Sequence, residues 1–111
     1  MKKRFSTKFL TLVTGLLLSY SAFAGTYNGV AKGFGGDIII DAEIANNKLE
    51  AINVKSESES DFAKPAIETI INEVIEKQTI KVDDVAGATA TSKGIKRAIS
   101  NAAKKSGVTL K

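Results

Sequence analysis

The run Asp37-Ile38-Ile39-Ile40-Asp41-Ala42-Glu43-Ile44-Ala45, then Asn46-Asn47, then Lys48-Leu49-Glu50-Ala51-Ile52-Asn53-Val54-Lys55, has the form of a β-hairpin. Ile38, Ile40, Ala42 and Ile44 alternate with Ile39, Asp41 and Glu43. That period of two puts one set of side chains on one face of a strand. Asn46-Asn47 supplies a tight turn, because Asn tolerates the left-handed backbone region such a turn needs. Residues 48–55 return with Leu49, Ile52 and Val54. Upstream, residues 26–32 are a short strand candidate, ended by Gly33-Phe34-Gly35-Gly36. Glycines there permit positive φ and close backbone approach. The first half therefore predicts an antiparallel meander.

The second half changes period. Ile67, Ile70, Ile71, Val74 and Ile75 fall at i, i+3, i+4, i+7 and i+8, the apolar stripe of an amphipathic helix. Pro65 suits its first turn, where a missing N–H costs nothing. Residues 79–82 form a short β-prone piece. A second helix is expected from about 92 to 105, with Ile95, Ala98, Ile99, Ala102 and Ala103 as its stripe. Lys104 and Lys105 suit the negative end of its dipole, and Gly107 is its stop. The expected fold is α+β, a small antiparallel sheet packed against two amphipathic helices.

Histidine, cysteine and tryptophan are absent. This excludes disulfides, thiolate or imidazole metal sites, and any catalytic group built on His or Cys. The chemistry left is that of carboxylates, hydroxyls, Lys, backbone amides or a cofactor. No catalytic set and no metal site are expected. Asp83-Asp84 lacks further ligands, and one of the two reads as solvated. Glu57, Glu59 and Asp61 lack the glycine and spacing of a calcium loop. They read as a solvated acidic loop, suited to a basic partner face such as a cytochrome's.

The formal charge of +4 is carried by the first residues. Lys2, Lys3, Arg4 and Lys8 precede every acid. Beyond residue 24 the basic and acidic side chains are equal, at 12 each. The domain has no basic excess, so no nucleic-acid partner is expected. Residues 1–24 have the layout of a secretory signal peptide. A basic segment is followed by an apolar stretch over 9–18 and by Ala22-Phe23-Ala24, a small-x-small cleavage site before Gly25. The apolar stretch is short for a bilayer span, and an uncleaved anchor is the alternative. The expectation is one exported domain, residues 25–111, periplasmic or extracellular.

Chemistry concentrates in Asp83-Asp84-Val85-Ala86-Gly87-Ala88-Thr89-Ala90-Thr91-Ser92, a loop of small residues running into a helix start. Exposed N–H groups and the positive dipole end make such a place a seat for an anion. Gly87 and Ala88 allow close approach to the backbone, and Thr89 and Thr91 offer hydroxyls. Thr91 or Ser92 is the expected helix cap. The plainer reading, a tight connection with its cap, stands beside the anion seat. The chain has neither GxxxxGK[ST] nor GxGxxG, which excludes the common phosphate loops.

Asp83-x-x-Ala86-Gly87-Ala88-Thr89, followed by Ala90-Thr91-Ser92, resembles the flavinylation motif D-x-x-(S/T)-G-A-T of the FMN-binding domain family. That family includes the covalent-FMN subunits of sodium-pumping quinone reductase and Rnf complexes, and domains of exported fumarate-reductase-like flavoproteins. Gly25-Thr26-Tyr27-Asn28-Gly29-Val30-Ala31-Lys32-Gly33-Phe34-Gly35-Gly36-Asp37-Ile38 is similar to the family's opening. Asn47-Lys48-Leu49-Glu50-Ala51-Ile52 is similar to its turn and strand. Thr91-Ser92-Lys93-Gly94-Ile95, with Ala98 and Ala102, is similar to its closing helix. There are two departures. Ala86 stands where Ser or Thr is usual, and Ser56-Glu57-Ser58-Glu59-Ser60 differs from the family's H-x-E-T.

The resemblance implies FMN joined through its phosphate to Thr89, with Asp83, Gly87, Ala88, Thr91 and Ser92 around it. It implies an FAD:protein FMN transferase for maturation. It also implies redox partners, such as a cytochrome, a reductase or a quinone-linked membrane complex. The protein would be an electron carrier, not a complete enzyme, alone or as an accessory of a flavin reductase system. Tyr27 and Phe34 are open between ring contact and ordinary packing. Two alternatives are carried. One is a secreted binding module that keeps the fold without flavin; the other is a protein that binds FMN without a covalent bond.

Overall fold

A computed structural model describes residues 24–108 and Leu110. The expected leader therefore lies, but for Ala24, outside the described residues. Strands β1 (Gly25–Lys32), β2 (Asp37–Ala45) and β3 (Lys48–Ser56) are followed by helices α1 (Lys64–Lys77) and α2 (Thr89–Ser106). The sheet is an antiparallel meander in the order β1-β2-β3. Both helices cover one face, α2 over β1 and β2, α1 against β3 and α2. The architecture is the expected α+β sandwich. Among the described residues no helix is long and apolar enough to cross a membrane.

The hairpin forms as its alternation requires. Ile38, Ile40, Ala42 and Ile44 are buried. Asn46 and Asn47 take φ of 54° and 61°, the pair of positive angles that a two-residue turn between twisted strands needs. Leu49 and Ile52 are both buried although three apart. A register shift explains this: Glu43 pairs with Ala51, Ile44 with Leu49, and Glu50 is the extra residue. One inserted residue exchanges the two faces of the strand beyond it.

In α1, Ala66, Ile67, Ile70, Ile71 and Val74 turn inward. The helix ends at Gln78, whose φ is 55° and whose N–H donates to the Val74 carbonyl at 2.7 Å. The Gln78 amide then pairs with the Leu49 peptide like a neighbouring strand. Its Oε1 accepts the Leu49 N–H at 2.9 Å, and its Nε2 donates to the Leu49 carbonyl at 2.9 Å. Residues 79–82 are consequently not a strand, contrary to their composition, because Gln78 already occupies that part of the sheet edge. They cross as irregular chain with Val82 buried.

Helix α2 starts at Thr89, three residues before the expected position, and ends at Gly107 with φ 86°. It rests almost backbone on backbone against β1. A Cβ built on Gly29 would lie 2.0 Å from the Ala98 carbonyl oxygen. One built on Gly94 would lie 2.8 Å from Gly33 Cα and from the Lys32 carbonyl oxygen. Side chains of any size at these points would lift the helix. Their absence fixes the start of α2 beside the β1–β2 turn.

Candidate functional site

Three connections meet at the start of α2. The glycine turn between β1 and β2 brings Phe34, and the β3–α1 loop brings Ser60, Phe62 and Ala63. The chain entering α2 brings Gly87 through Thr91. Together they line a pocket of about 420 Å³. Phe34 is 79% exposed and Phe62 74% exposed, the two most open large apolar side chains among the described residues. Such exposure costs solvation and marks a surface made for contact. Tyr27 instead packs against the core from the other end of β1.

The entry to α2 is built by its own residues. The Ala88 N–H donates to the Val85 carbonyl at 2.9 Å, and Gly87 within this turn takes φ of 82°. Ser92 Oγ accepts the Val85 N–H at 2.9 Å and donates to the Ala88 carbonyl at 2.8 Å. Phe62 lies over Gly87, where a Cβ would come within 3.3 Å of its ring. Gly87 is thus required for its φ, and the ring above it leaves little room for a Cβ.

Neither Thr91 nor Ser92 caps the helix. Both are buried inside its first turns, at 1% and 0% exposure. The cap position belongs to Ala88, which has no side-chain oxygen, and the first turn holds no acid. The N–H groups of that turn and the positive end of the dipole therefore lack compensation from the chain. Thr89 is exposed on the pocket wall, and Thr91 is committed elsewhere.

Thr91 donates its hydroxyl proton to Glu59 in a hydrogen bond. The same carboxylate accepts the Phe34 N–H at 2.8 Å and the Gly35 N–H at 2.7 Å. One side chain, 4% exposed, thereby ties together all three connections of the pocket. Burial by itself raises the pKa of Glu59. The hydrogen bonds from Thr91, Phe34 and Gly35 outweigh it and hold the carboxyl below its ordinary value. Glycine is needed here as well, since a Cβ on Gly35 would meet the Ser58 carbonyl oxygen at 2.2 Å.

This corrects the expected solvated acidic loop at Glu59, while Asp61 is solvated as expected. Glu59 is internal, and Lys64 lies 3.8 Å from Glu57 and 3.3 Å from Asp61. Lys64 offsets one of these two outer charges, and the Asp61 carboxylate is fully exposed. Asp84 departs from expectation too. Its Oδ2 lies 2.9 Å from Lys93 Nζ and its Oδ1 2.7 Å from Lys96 Nζ. The Oδ1 contact is an ion pair, without the angle of a directed hydrogen bond. The two ammonium groups, Lys96 foremost, hold its carboxyl below the usual range. Asp83, the aspartate of the motif, is exposed and stands outside the pocket lining.

Gly87, Ala88, Thr89 and Thr91 are thus brought together at the pocket, while Ser92 supports it from within and Asp83 lies apart. Phe62 was not singled out from the sequence, and Glu59 and Ser60 were given no place in the site. The signal for these two lay in the departure from H-x-E-T: with Glu57 in the place of His, the E and T positions fall on Glu59 and Ser60. The pocket lining holds hydroxyls, aromatic rings and backbone amides and no titratable side chain. It is equipped to hold an anionic, planar group. Among the described residues no cluster of three or more acids is placed to hold a metal.

The sequence profile of the FMN-binding domain matches residues 33–104, well over half of the chain. The chain belongs to the FMN-binding domain family. The match begins in the glycine turn and ends in α2, so it spans every connection that forms the pocket. The chain is 34% identical over 80 residues to the NADH:acrylate oxidoreductase of Vibrio harveyi, covering 71% of this chain and 8% of that protein. It is 33% identical over 76 residues to an uncharacterized protein of Treponema pallidum (strain Nichols), covering 68% of this chain and 21% of that one. The chain thus corresponds to a minor part of either relative. Family membership makes this domain an FMN-carrying electron-transfer module.

Proposed function

We propose that this protein is an exported electron carrier with FMN bound covalently to Thr89. The observation that carries the reading is the contrast between the two threonines. Thr89 is exposed beside the uncapped first turn, and Thr91 is buried with its hydroxyl given to Glu59. In the attachment step Thr89 Oγ bonds to the FMN phosphorus of FAD. The bond to AMP breaks, AMP leaves, and the hydroxyl proton passes to it or to solvent. One negative charge remains on the phosphodiester, and the first-turn N–H groups of α2 favour it by about 0.3–1 kcal/mol.

The residues present fit the group. Phe34 and Phe62 offer ring faces for an isoalloxazine, and the pocket volume falls in the range of small-molecule sites. When bound, FMN supplies reversible acceptance and release of electrons. The chain's own part is placement. Glu59 fixes the loop that carries Phe34, Gly87 admits Phe62, and the α2 terminus receives the phosphate. A separate FAD:protein FMN transferase makes the bond, and redox proteins supply and remove electrons. A second reading, the unflavinylated binding module, draws on Ala86. That residue is exposed and lacks the hydroxyl usual at its place in the motif.

Intact mass after co-expression with the transferase is the test. Wild type and Thr91→Val are expected to gain one FMN less one water, with yellow colour that survives denaturation, and Thr89→Ala is expected to gain nothing. A gain in Thr89→Ala that is lost in Thr91→Val moves the attachment to Thr91. No gain in folded wild type supports the binding module. The mass of the exported protein also reports whether cleavage falls between Ala24 and Gly25.

A further inference from the structure

The outward face of α2 carries positive charge that begins beside Thr89. The helix holds Lys93, Lys96, Arg97, Lys104 and Lys105 and no acid. Lys93 and Arg97 follow Thr89 at i+4 and i+8, which places all three along one face. At about 1.5 Å per residue, Lys93 lies about 6 Å and Arg97 about 12 Å along the axis from Thr89. Ile80, Lys93, Lys96, Arg97 and Ser100 line a dent of about 300 Å³ there. Asp84 holds both Lys93 and Lys96, and Lys96 also donates to the Val82 carbonyl at 2.7 Å. One aspartate among three cations restrains the lysines without cancelling their charge. On the other side of the pocket Glu59 is internal, and Lys64 offsets one of the two charges of Glu57 and Asp61.

We propose that this face of α2 docks an acidic patch on the redox protein that exchanges electrons with the flavin. The inference rests on the FMN reading above. Cations held in place before encounter steer an acidic partner and cost less to order on binding. The partner is thereby opposite in charge to the one the acidic loop suggested. The dent accepts a carboxylate side chain between Lys96, Arg97 and the Ser100 hydroxyl.

Two measurements test this. In the first, the chain without flavin is titrated with hexaglutamate and followed by amide NMR. Shifts are expected at Lys93, Lys96, Arg97 and Ser100, and Arg97→Glu is expected to remove them while Lys104→Glu, about 22 Å from Thr89, keeps them. In the second, flavin-loaded protein, checked by mass, is reduced and mixed with ferricyanide or with hexaammineruthenium(III). Each reduced flavin passes two electrons to two oxidant ions and releases its proton. Arg97→Glu should slow ferricyanide about threefold at 0.1 M salt and speed the cationic oxidant by a similar factor. Equal responses of both oxidants, or hexaglutamate shifts confined to other faces, overturn the proposal. Binding to phosphatidylglycerol vesicles that Arg97→Glu abolishes, without any hexaglutamate shift, assigns the face to a membrane and also overturns it. A mass without FMN refutes the cofactor reading, and the hexaglutamate titration still decides the docking surface.

Discussion

Replacing Glu59 by Ala should cost this domain about 3 kcal/mol. The carboxylate accepts from Thr91, Phe34 and Gly35, and hydrogen bonds to a charged group contribute about 1.5–3 kcal/mol each. Burial of the charge offsets part of this sum, while truncation strands a buried hydroxyl and two N–H groups. Breaking a buried charged cluster on one side typically costs about 3–5 kcal/mol. We take the lower end, because the Phe34 turn is at the surface and water can reach its N–H groups. For a domain of this size, 1 kcal/mol shifts Tm by about 4–8 °C, so a loss of at least about 12 °C is expected. Urea unfolding at neutral pH, with an unchanged m-value, measures it directly. Glu59→Gln keeps the shape and loses the charge. The sign of its pH dependence follows from the lowered pKa of Glu59. Stability from the ionised carboxylate is fully present above the unfolded glutamate pKa, and it is lost as pH falls through the folded one. The gap between wild type and Glu59→Gln should therefore be widest at pH 7 and narrow as pH falls below the ordinary glutamate range. A gap that stays constant down to pH 3, or a Glu59→Ala cost under about 1 kcal/mol, would refute the assignment of Glu59 as the tie between the loops.

Two further outcomes follow from backbone geometry. Gly94→Ala should destabilise by about 1–3 kcal/mol, as overpacking does, since its Cβ meets backbone atoms at 2.8 Å; chemical denaturation checks it, and a neutral result would mean that α2 does not sit so close to β1. Asn47→Ala should cost about 1 kcal/mol in Tm or urea midpoint, because φ of 61° suits Asn and penalises a residue with an ordinary Cβ, whereas Asn47→Gly should be nearly neutral.

The elements of this fold were legible because they obey local periods. The isoleucines of β2 and of α1 mark their faces without help from the rest of the chain. Local period also failed in identifiable places. Residues 79–82 have strand composition, yet Gln78 takes the Leu49 peptide first. Thr91 and Ser92 have the chemistry of caps, yet the small Ala88 lets the helix begin earlier and draws both hydroxyls inside. Of the site, the Gly87-Ala88-Thr89 wall was legible as a motif. Glu59 was not, because an acid within a Ser-Glu run looks solvated. Its burial depends on donors from residues 34, 35 and 91, which only the folded chain assembles.

The contact of Gly29 and Gly94 with their neighbours has a consequence for how the site responds to change elsewhere. Peptide planes touching directly have no side-chain torsions through which to yield. A swap such as Ile99 to Leu or Val can be absorbed by side-chain rearrangement within the interior. The line along which α2 meets β1 has no such freedom. The helix start is thereby insulated from drift in the packing beneath it. Substitutions in the interior should alter how firmly the domain holds together while leaving Thr89 at the same place relative to Phe34.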